Sequence, residues 1–113
     1  MLAKNQRFHG HTAVRQAYRQ GVTIRGGACS LHVVRGRRIN TTKVAVVVSK
    51  KVHKSAVLRN RIRRRIYEVV RMYLPGVQEP VELVVTVHAP ETAFISSEEL
   101  NEQIQSLLRR AKL

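Results

Sequence analysis

The sequence predicts a two-layer α/β sandwich with a small mixed sheet. Three Val-rich runs have the length of strands, and two longer segments repeat apolar residues at helical spacing. The predicted order is helix, strand, strand, long helix, strand, helix, and a strand–helix–strand crossover normally makes its two strands parallel neighbours. Helices on one sheet face leave the other open. The 113 residues, 43% of them hydrophobic, predict a single domain over 1–113.

The predicted N-terminal region combines a basic arm with a short helix. Residues 1–10 have no periodic pattern and are predicted to be an irregular basic arm. Thr12 is suited to cap the start of a helix, and Gly21 is suited to end it. Gly26-Gly27 then predicts a break in the chain.

Strands are predicted at Ala28–Val34, Lys43–Ser49 and Val81–His88. In the first, odd-numbered and even-numbered side chains are expected on opposite sheet faces. The second is apolar on both faces, which indicates a central strand covered on both sides. Arg35–Asn40, between these two strands, is polar and basic and is predicted to be a hairpin loop.

Two amphipathic helices are predicted in the second half. Ser55 is suited to cap the longer one, and Leu74-Pro75-Gly76 ends it. Its apolar stripe consists of Leu58, Ile62, Ile66, Val69 and Tyr73. Ser96–Glu99 fits a capping box that begins the final helix. The apolar residues of that helix are Leu100, Ile104, Leu107 and Leu108.

Positive charge is concentrated in the first two thirds of the chain. The net charge is +14, and residues 1–71 hold 18 Lys and Arg against one acid. Residues 72–113 hold 3 Lys and Arg against 6 acids. Such an imbalance favours a polyanionic partner. The densest part is Lys50–Arg71, which has nine basic residues and the single acid Glu68.

The long helix is predicted to present this charge to a nucleic acid. The residues opposite its apolar stripe are predicted to be Asn60, Arg64, Tyr67 and Arg71. A solvated helix usually alternates acids and bases, whereas unpaired arginines repel one another until a partner neutralises them. Arginine can bind phosphate bidentately, and an Asn amide can reach a base edge or a 2′-hydroxyl.

RNA is favoured over DNA as that partner. A helix-turn-helix domain needs a second helix just upstream, where this sequence has a strand. An open sheet face suits unpaired RNA bases, and the candidates for stacking are Phe8, Tyr18 and His32. Tyr73 and Phe94 are predicted to lie in the core. A structural RNA-binding protein of ribosomal type and a DNA-binding regulator are the alternatives.

The residue types argue against catalysis by the chain itself. There is no Asp, and a metal-dependent nuclease needs clustered carboxylates. Nothing in the sequence orients His9 and His11 as a catalytic pair. Cys29 is the only cysteine, so an intrachain disulfide and a multi-cysteine zinc site are excluded. We expect neither a transmembrane helix nor a signal peptide, because no apolar run is long enough.

The sequence resembles the protein component of bacterial ribonuclease P over about residues 4–110. The resemblance is carried by Val48–Lys51 at a strand end and by Arg59–Arg65 in the helix that follows. Arg7-Phe8 and Tyr18–Gly21 also resemble the N-terminal region of that family.

This resemblance implies an α/β sandwich with a left-handed strand–helix–strand crossover. It implies a protein subunit that binds a large catalytic RNA and the 5′ leader of precursor tRNA. The RNA subunit with Mg²⁺ would hydrolyse the phosphodiester, and the protein alone would bind no cofactor. A cytoplasmic location and one protein per RNA are expected, with neither membrane nor DNA as a partner.

The resemblance also assigns residues to two surfaces. Those implied to contact the catalytic RNA are Lys50, Lys51, Lys54, Arg59, Asn60, Arg61, Arg63, Arg64 and Arg65. Those implied to contact the leader are Phe8, Val14, Arg15, Tyr18, Arg19, His32 and Lys43. Family members often have aromatic residues where this chain has Val14 and His32. We therefore expect weaker base stacking here and a larger share of the affinity from the cations.

Overall fold

The computed structural model of the protein describes residues 21–36, 39 and 41–113. Their strands are β1 (Val22–Arg25), β2 (Cys29–Val34), β3 (Lys43–Val48) and β4 (Glu82–Val87). Their α-helices are α1 (Ala56–Tyr73) and α2 (Ser97–Arg110), and short 3₁₀ turns occupy Leu74–Gly76 and Pro90–Ala93. The sheet has the order β1-β2-β4-β3. The predicted basic arm over 1–10 and the predicted helix from Thr12 lie outside the described residues.

The strand–helix–strand unit consists of β3, α1 and β4. β3 and β4 are parallel neighbours, whereas the β1–β2 and β2–β4 pairs are antiparallel. The predicted mixed sheet and the predicted parallel pair are therefore confirmed. The left-handed crossover implied by the family resemblance stays a prediction.

The main core lies between the two helices and one face of the sheet, which we call the first face. Both helices contribute fully buried residues to it, among them Ile62, Ile66, Leu100 and Ile104. The strands contribute their alternate apolar side chains: Cys29, Leu31, Val33, Val44, Val46, Val48, Leu83, Val85 and Val87. The predicted split of β2 into odd-numbered and even-numbered faces is thus confirmed.

We call the opposite face of the sheet the second face. It was predicted to be open, but part of it is buried. Val34, Ala45 and Val84 are buried there, with Ile39 and Val47 packed against them. Small aliphatic residues on three neighbouring strands meet because β4 lies between β2 and β3. This face therefore has a small apolar cluster of its own.

Two lateral positions in the sheet differ from the predictions. Among the described strands β3 lies at the edge of the sheet, although its apolar pattern indicated a central strand. Burial on both faces makes a strand apolar, whereas an edge position depends on which backbone groups find a neighbouring strand. The residues between β2 and β3 do not form a hairpin, because β4 separates the two strands. β1 was not predicted, since its four residues are too few to show a clear alternation.

The α1 helix begins where it was predicted to begin. The Ser55 Oγ accepts a hydrogen bond from the Leu58 N–H at 3.4 Å, and the helix continues from Ala56. Three residues of the predicted stripe are buried, and Leu58 and Tyr73 pack against them partly buried. Val70 is also fully buried, so the buried face is wider than the predicted stripe.

Tyr67 was predicted to lie opposite the apolar stripe of α1, and this prediction is wrong. Its ring packs against the main core, and its hydroxyl accepts a hydrogen bond from the Val46 N–H of β3 at 3.3 Å. A Tyr side chain is long enough to reach sideways along a helix and to place an apolar ring inside with its hydroxyl at the border. Here the hydroxyl satisfies a backbone donor on an edge strand.

Gly26, in the turn between β1 and β2, allows close contact between the sheet and α2. Its N–H donates to the Cys29 carbonyl at 2.9 Å. A Cβ at this position would lie 2.8 Å from the same carbonyl oxygen and 3.1 Å from Leu107 Cδ2. Any larger residue would therefore push the turn away from the helix.

α2 and the C-terminus are fixed to the rest of the domain by polar contacts. The Ser96 Oγ accepts from the Glu99 N–H at 3.1 Å, as predicted for the cap of this helix. The Tyr73 hydroxyl donates to the Leu113 carbonyl at 2.6 Å, and the Arg35 guanidinium donates to the Ala111 carbonyl. Within the described part of the chain, no helix is long and apolar enough to cross a membrane.

Candidate nucleic-acid interface

The cations that the resemblance assigns to RNA contact lie on α1 and on the turn that leads into it. Together with Asn60, these residues form what we call the basic surface. The turn after β3 carries Lys50, Lys51 and Lys54, all exposed. On α1, Asn60, Arg61 and Arg64 are exposed, and Arg59, Arg63 and Arg65 are half-buried. The helix is rigid because its other side is packed in the core, so these groups keep a fixed spacing.

Arg59 connects the helix to the turn before it. Its Nη1 donates to the carbonyls of His53 at 2.8 Å and Lys54 at 2.9 Å. These bonds fix the turn against the first two turns of α1, and they leave the remaining guanidinium donors for a ligand. Arg59 therefore supports the position of Lys54 as well as adding its own charge.

Asn60 and Arg63 interact within the helix. The Arg63 guanidinium donates to the Asn60 Oδ1, one helical turn away. This contact uses the amide oxygen and directs the Asn60 side chain along the basic surface. The amide nitrogen remains a donor for an oxygen of a ligand.

Arg65 holds the segment that precedes α2. Its Nη1 donates to the Thr92 carbonyl at 2.9 Å, and its Nη2 donates to the Ile95 carbonyl. Burial and, to a lesser extent, the charge of Arg61 lower the pKa of Arg65, although a guanidinium stays protonated in a protein. Arg65 was assigned to RNA, and the structure gives it a second role inside the fold.

The C-terminal half of α1 is electrically compensated. Arg71 donates to the Glu68 Oε2 from Nε at 3.2 Å and from Nη2 at 2.9 Å. The pKa of Glu68 is lowered to about 2, with the hydrogen bond from Arg71 as the largest cause, so this pair is fully ionised at neutral pH. Within α1 and the turn before it, the uncompensated charge therefore lies between Lys50 and Arg65.

The two described residues assigned to the leader, His32 and Lys43, share the second face. The strand register places His32 opposite Val84 on β4 and Lys43 opposite Glu82 on the same strand. Both therefore project on the side of the sheet away from α1 and α2. Outside the described residues lie the other five leader positions: Phe8, Val14, Arg15, Tyr18 and Arg19.

Polar groups surround His32 at one end of the second face. The His32 Nδ1 lies 2.9 Å from the Thr23 Oγ1, and the Ser30 Oγ lies 2.8 Å from the His88 Nε2. Burial, His88 and Arg25, in decreasing order, lower the pKa of His32, which favours its neutral form at pH 7. An open pocket of about 400 Å³ is lined by Thr23, Arg25, Gly26, Ser30, His32 and His88.

Sequence reasoning missed part of this pocket and misplaced Phe94. Thr23 and Arg25 belong to the unpredicted strand β1, and only the strand register brings them beside β2. Phe94 was predicted to be in the core, but it is 64% exposed. A single aromatic in a short segment between a strand and a helix has no periodic pattern that could have shown its exposure.

Cys29 shows no sign of a chemical role. Burial raises the pKa of its thiol to about 11, so the thiol is protonated at neutral pH and is a poor nucleophile. In the described part of the chain, no three His, Cys, Asp or Glu residues are grouped in a way that could hold a metal ion.

Comparison with solved structures supports the fold. The ribonuclease P protein from Staphylococcus aureus superposes with a TM-score of 0.82 at 20% identity, covering 95% of each chain. The ribonuclease P protein from Thermotoga maritima superposes with a TM-score of 0.74 at 17% identity, covering 86% of this chain and 89% of that one. At these identities the similarity concerns the fold.

Sequence comparison shows the family. The family model for ribonuclease P matches residues 2–112. The ribonuclease P protein component of Pseudanabaena sp. (strain PCC 6903) is 30% identical over 113 residues, which is 100% of this chain and 97% of that protein. The corresponding protein of Chloroflexus aurantiacus is 36% identical over 99 residues, covering 88% and 72%. The chain therefore belongs to the ribonuclease P protein family and is the protein subunit of an endoribonuclease of tRNA 5′ processing.

Proposed function

We propose that the basic surface binds the ribonuclease P RNA and that the second face, together with the residues before β1, binds the 5′ leader of precursor tRNA. The observation that carries the first part is the uncompensated charge at the start of α1. Among the described side chains there is one ion pair, between Arg71 and Glu68, and it lies at the other end of the helix. A dense array of cations on a rigid helix needs a polyanion of matching size.

The donors of the basic surface fit a phosphate backbone. Arg61 and Arg64 are exposed and present planar forks that can bind phosphate bidentately. The lysines of the preceding turn add point charges, and Arg59 keeps that turn in place. This arrangement supports binding by charge and shape, with Asn60 adding a contact to a base edge or a 2′-hydroxyl.

The proposed leader site differs in chemistry. Lys43 and Arg25 are exposed cations on the second face, and His32 lies between apolar Val84 and the hydroxyl of Thr23. A single-stranded segment could place phosphates near the cations and bases over the apolar cluster. Such contacts would be made by precursor tRNA and lost once the leader is removed, so they favour substrate over product.

In this proposal the RNA subunit with Mg²⁺ carries the chemistry, and the protein positions RNA and substrate. Mg²⁺ would supply charge stabilisation at the scissile phosphate and an activated water when bound with the RNA. The chain reduces repulsion between two polyanions and adds binding energy through the leader. We further propose one protein per RNA, acting in the cytoplasm.

A titration with ribonuclease P RNA tests the basic surface. Arg61→Ala with Arg64→Ala should weaken binding by about tenfold or more for each residue, because each loses a charge-assisted contact to phosphate. The slope of log affinity against log salt should fall by about 2. The matched control is Arg109→Ala with Arg110→Ala, which removes the same charge from exposed positions at the end of α2.

Equal losses in the two double variants would show a general effect of net charge and would remove the basic surface from the interface. Arg59 is a less informative choice, because its loss would also release the turn that it holds. For the leader site, Lys43→Ala should reduce the preference for precursor over mature tRNA. A loss that is equal for both tRNAs would exclude Lys43 from leader contact.

A further inference from the structure

We propose that the exposed ring of Phe94, held in place by His53, stacks on an unpaired base of the RNA that the basic surface binds. This inference rests on the proposed RNA-binding function and adds a base contact to it. Phe94 is 64% exposed, and no recognisable sequence pattern pointed to it as a binding residue. Isolated exposed apolar residues are common, so the argument depends on how this ring is held and what surrounds it.

The backbone around Phe94 is fixed rather than loose. The Phe94 N–H donates to the Glu91 carbonyl at 2.9 Å and closes the short 3₁₀ turn. Two positions before it and one after it, the Thr92 and Ile95 carbonyls accept hydrogen bonds from the single guanidinium of Arg65. An exposed aromatic ring on a backbone clamped in this way loses little conformational freedom when it binds.

The ring itself is also positioned. The centroids of the His53 and Phe94 rings are 6.0 Å apart with an angle of 87° between the planes, which is an edge-to-face contact. The His53 Nε2 lies 2.8 Å from the Pro90 carbonyl, and because a carbonyl only accepts, this nitrogen carries a hydrogen. His53 is thereby fixed to the same segment that carries Phe94. An edge-to-face contact leaves the faces of the phenyl ring uncovered by His53, and 64% of the residue is exposed to a ligand.

The chemistry around the ring favours a nucleobase. His53 belongs to the turn of the basic surface, and its carbonyl accepts a hydrogen bond from Arg59. Arg65 is bonded to the backbone on both sides of Phe94 in the chain, at the Thr92 and Ile95 carbonyls. An aromatic ring on a segment to which arginine side chains are bonded resembles the combination with which proteins hold a single-stranded nucleic acid, whose phosphates meet the cations while a base stacks. The base must be unpaired, since bases within a duplex are already stacked.

A protein partner is the less favoured occupant. A protein-docking site normally presents a contiguous apolar patch with few charges at its centre. Here the side chains bonded into the Phe94 segment are an arginine and a histidine. The charge around the ring therefore complements RNA better than an apolar protein surface.

The test measures affinity for ribonuclease P RNA, at several salt concentrations, for Phe94→Ala, Phe94→Leu and Phe94→Trp. We expect Phe94→Ala and Phe94→Leu to lose about tenfold in affinity and Phe94→Trp to keep it, because stacking needs an aromatic face rather than mere apolar volume. The slope against salt should equal that of the unsubstituted chain, because no phosphate contact is removed. The Leu and Trp variants are compared with each other, so a change in folding common to all three substitutions does not affect the result.

Equal affinity of Phe94→Leu and Phe94→Trp would overturn the proposal, and so would a changed salt slope. It would also be overturned if Phe94→Ala bound RNA normally but lost self-association, which would assign the ring to contact with a second copy. The double variant of Arg61 and Arg64 separates this inference from the proposed function. If that variant binds weakly while all Phe94 variants bind normally, only the stacking site fails; if neither set weakens binding, the RNA-binding role of the basic surface fails as well.

Discussion

The basic surface and the second face of the sheet are built on opposite sides of the same core, and they differ in how polar groups are placed. On the basic surface, long cationic side chains extend from one helix and the turn before it. On the second face, shorter side chains from neighbouring strands lie in register, and Val34, Ala45 and Val84 are buried among them. The first surface is defined by charge density and the second by shape.

This difference has a consequence for binding. Charge acts over a Debye length and depends little on exact position, so the basic surface can attract a large RNA before contact. In the proposed leader site, binding would depend on short contacts around His32 and Lys43, and such contacts would discriminate between substrates with and without a leader. Arg59 and Arg65 combine the two kinds of interaction, long-range charge and short directional contacts. Each carries a positive charge and also donates hydrogen bonds to backbone carbonyls.

The largest expected difference between the two surfaces is in how strongly their binding depends on salt concentration. If the six cations of the basic surface other than Arg59 and Arg65 each meet a phosphate, raising salt from about 50 to 200 mM lowers affinity for the RNA subunit by about a thousandfold. The preference for precursor over mature tRNA should change by only about sevenfold if Arg25 and Lys43 are its phosphate contacts. Contributions from Arg15 and Arg19 would raise this to about fiftyfold. Titrations with the ribonuclease P RNA measure the first quantity across this salt range, and titrations with precursor and mature tRNA measure the second.

A precursor preference that falls as steeply with salt as RNA affinity would contradict the comparison. It would mean that the leader is held mainly by charge as well. A preference that does not change with salt would instead assign leader discrimination to the apolar cluster and His32.

Replacing Arg65 should show that the basic surface also stabilises the fold. Arg65→Ala removes two hydrogen bonds to the Thr92 and Ile95 carbonyls, and we expect the free energy of unfolding to fall by about 2 kcal/mol in urea titrations. Arg64→Ala is the matched control, since the Arg64 side chain is exposed and makes no hydrogen bond to any described residue. Its effect on unfolding should stay within about 0.5 kcal/mol.

If Arg64→Ala lowered the free energy of unfolding more than Arg65→Ala did, the Arg65 contacts would not contribute to stability. Arg65→Lys should recover only part of the loss, because an ammonium group cannot reach two carbonyls as a planar fork does.

The smallest expected effect concerns pH and the second face. The pKa of His32 is lower in the fold than its ordinary 6.5, chiefly through burial and then through His88 and Arg25. Below pH 6.5 the unfolded chain therefore binds a proton more readily than the folded chain, and stability falls as the pH decreases. The melting temperature of His32→Gln should depend less on pH between 7.5 and 5.5 than that of the unsubstituted chain. Identical pH dependence would show that His32 is not responsible.

The elements of the second half were largely predictable from local patterns. Ser55 and Ser96 were identified as caps because their spacing to the first apolar residues of each helix is a local property, and both accept the expected backbone N–H. The stripe through Ile62, Ile66 and Val69 follows from helical geometry alone. The list of cations on α1 also came directly from the sequence.

Other features depended on contacts between distant residues. Tyr67 and Phe94 exchanged their predicted environments: the tyrosine packs against the core and reaches Val46, whereas the phenylalanine is exposed beside His53. The strand β1 and the pocket around His32 required knowledge of which strands pair. Two of the predicted RNA contacts, Arg59 and Arg65, turned out to bond to backbone carbonyls as well, and Arg65 reaches carbonyls about thirty positions along the chain.

The sequence by itself determined the fold class, the start of each described helix and the sign and location of the charge, because helical periodicity, capping and net charge depend on residues close together in the chain. Only the tertiary structure decided that β4 lies between β2 and β3, that β3 is an edge strand, and which arginines are also used inside the fold. Lateral strand order is set by backbone hydrogen bonds, which leave no signature in side-chain alternation. The role of each arginine depends on which distant carbonyls the folded chain brings within reach.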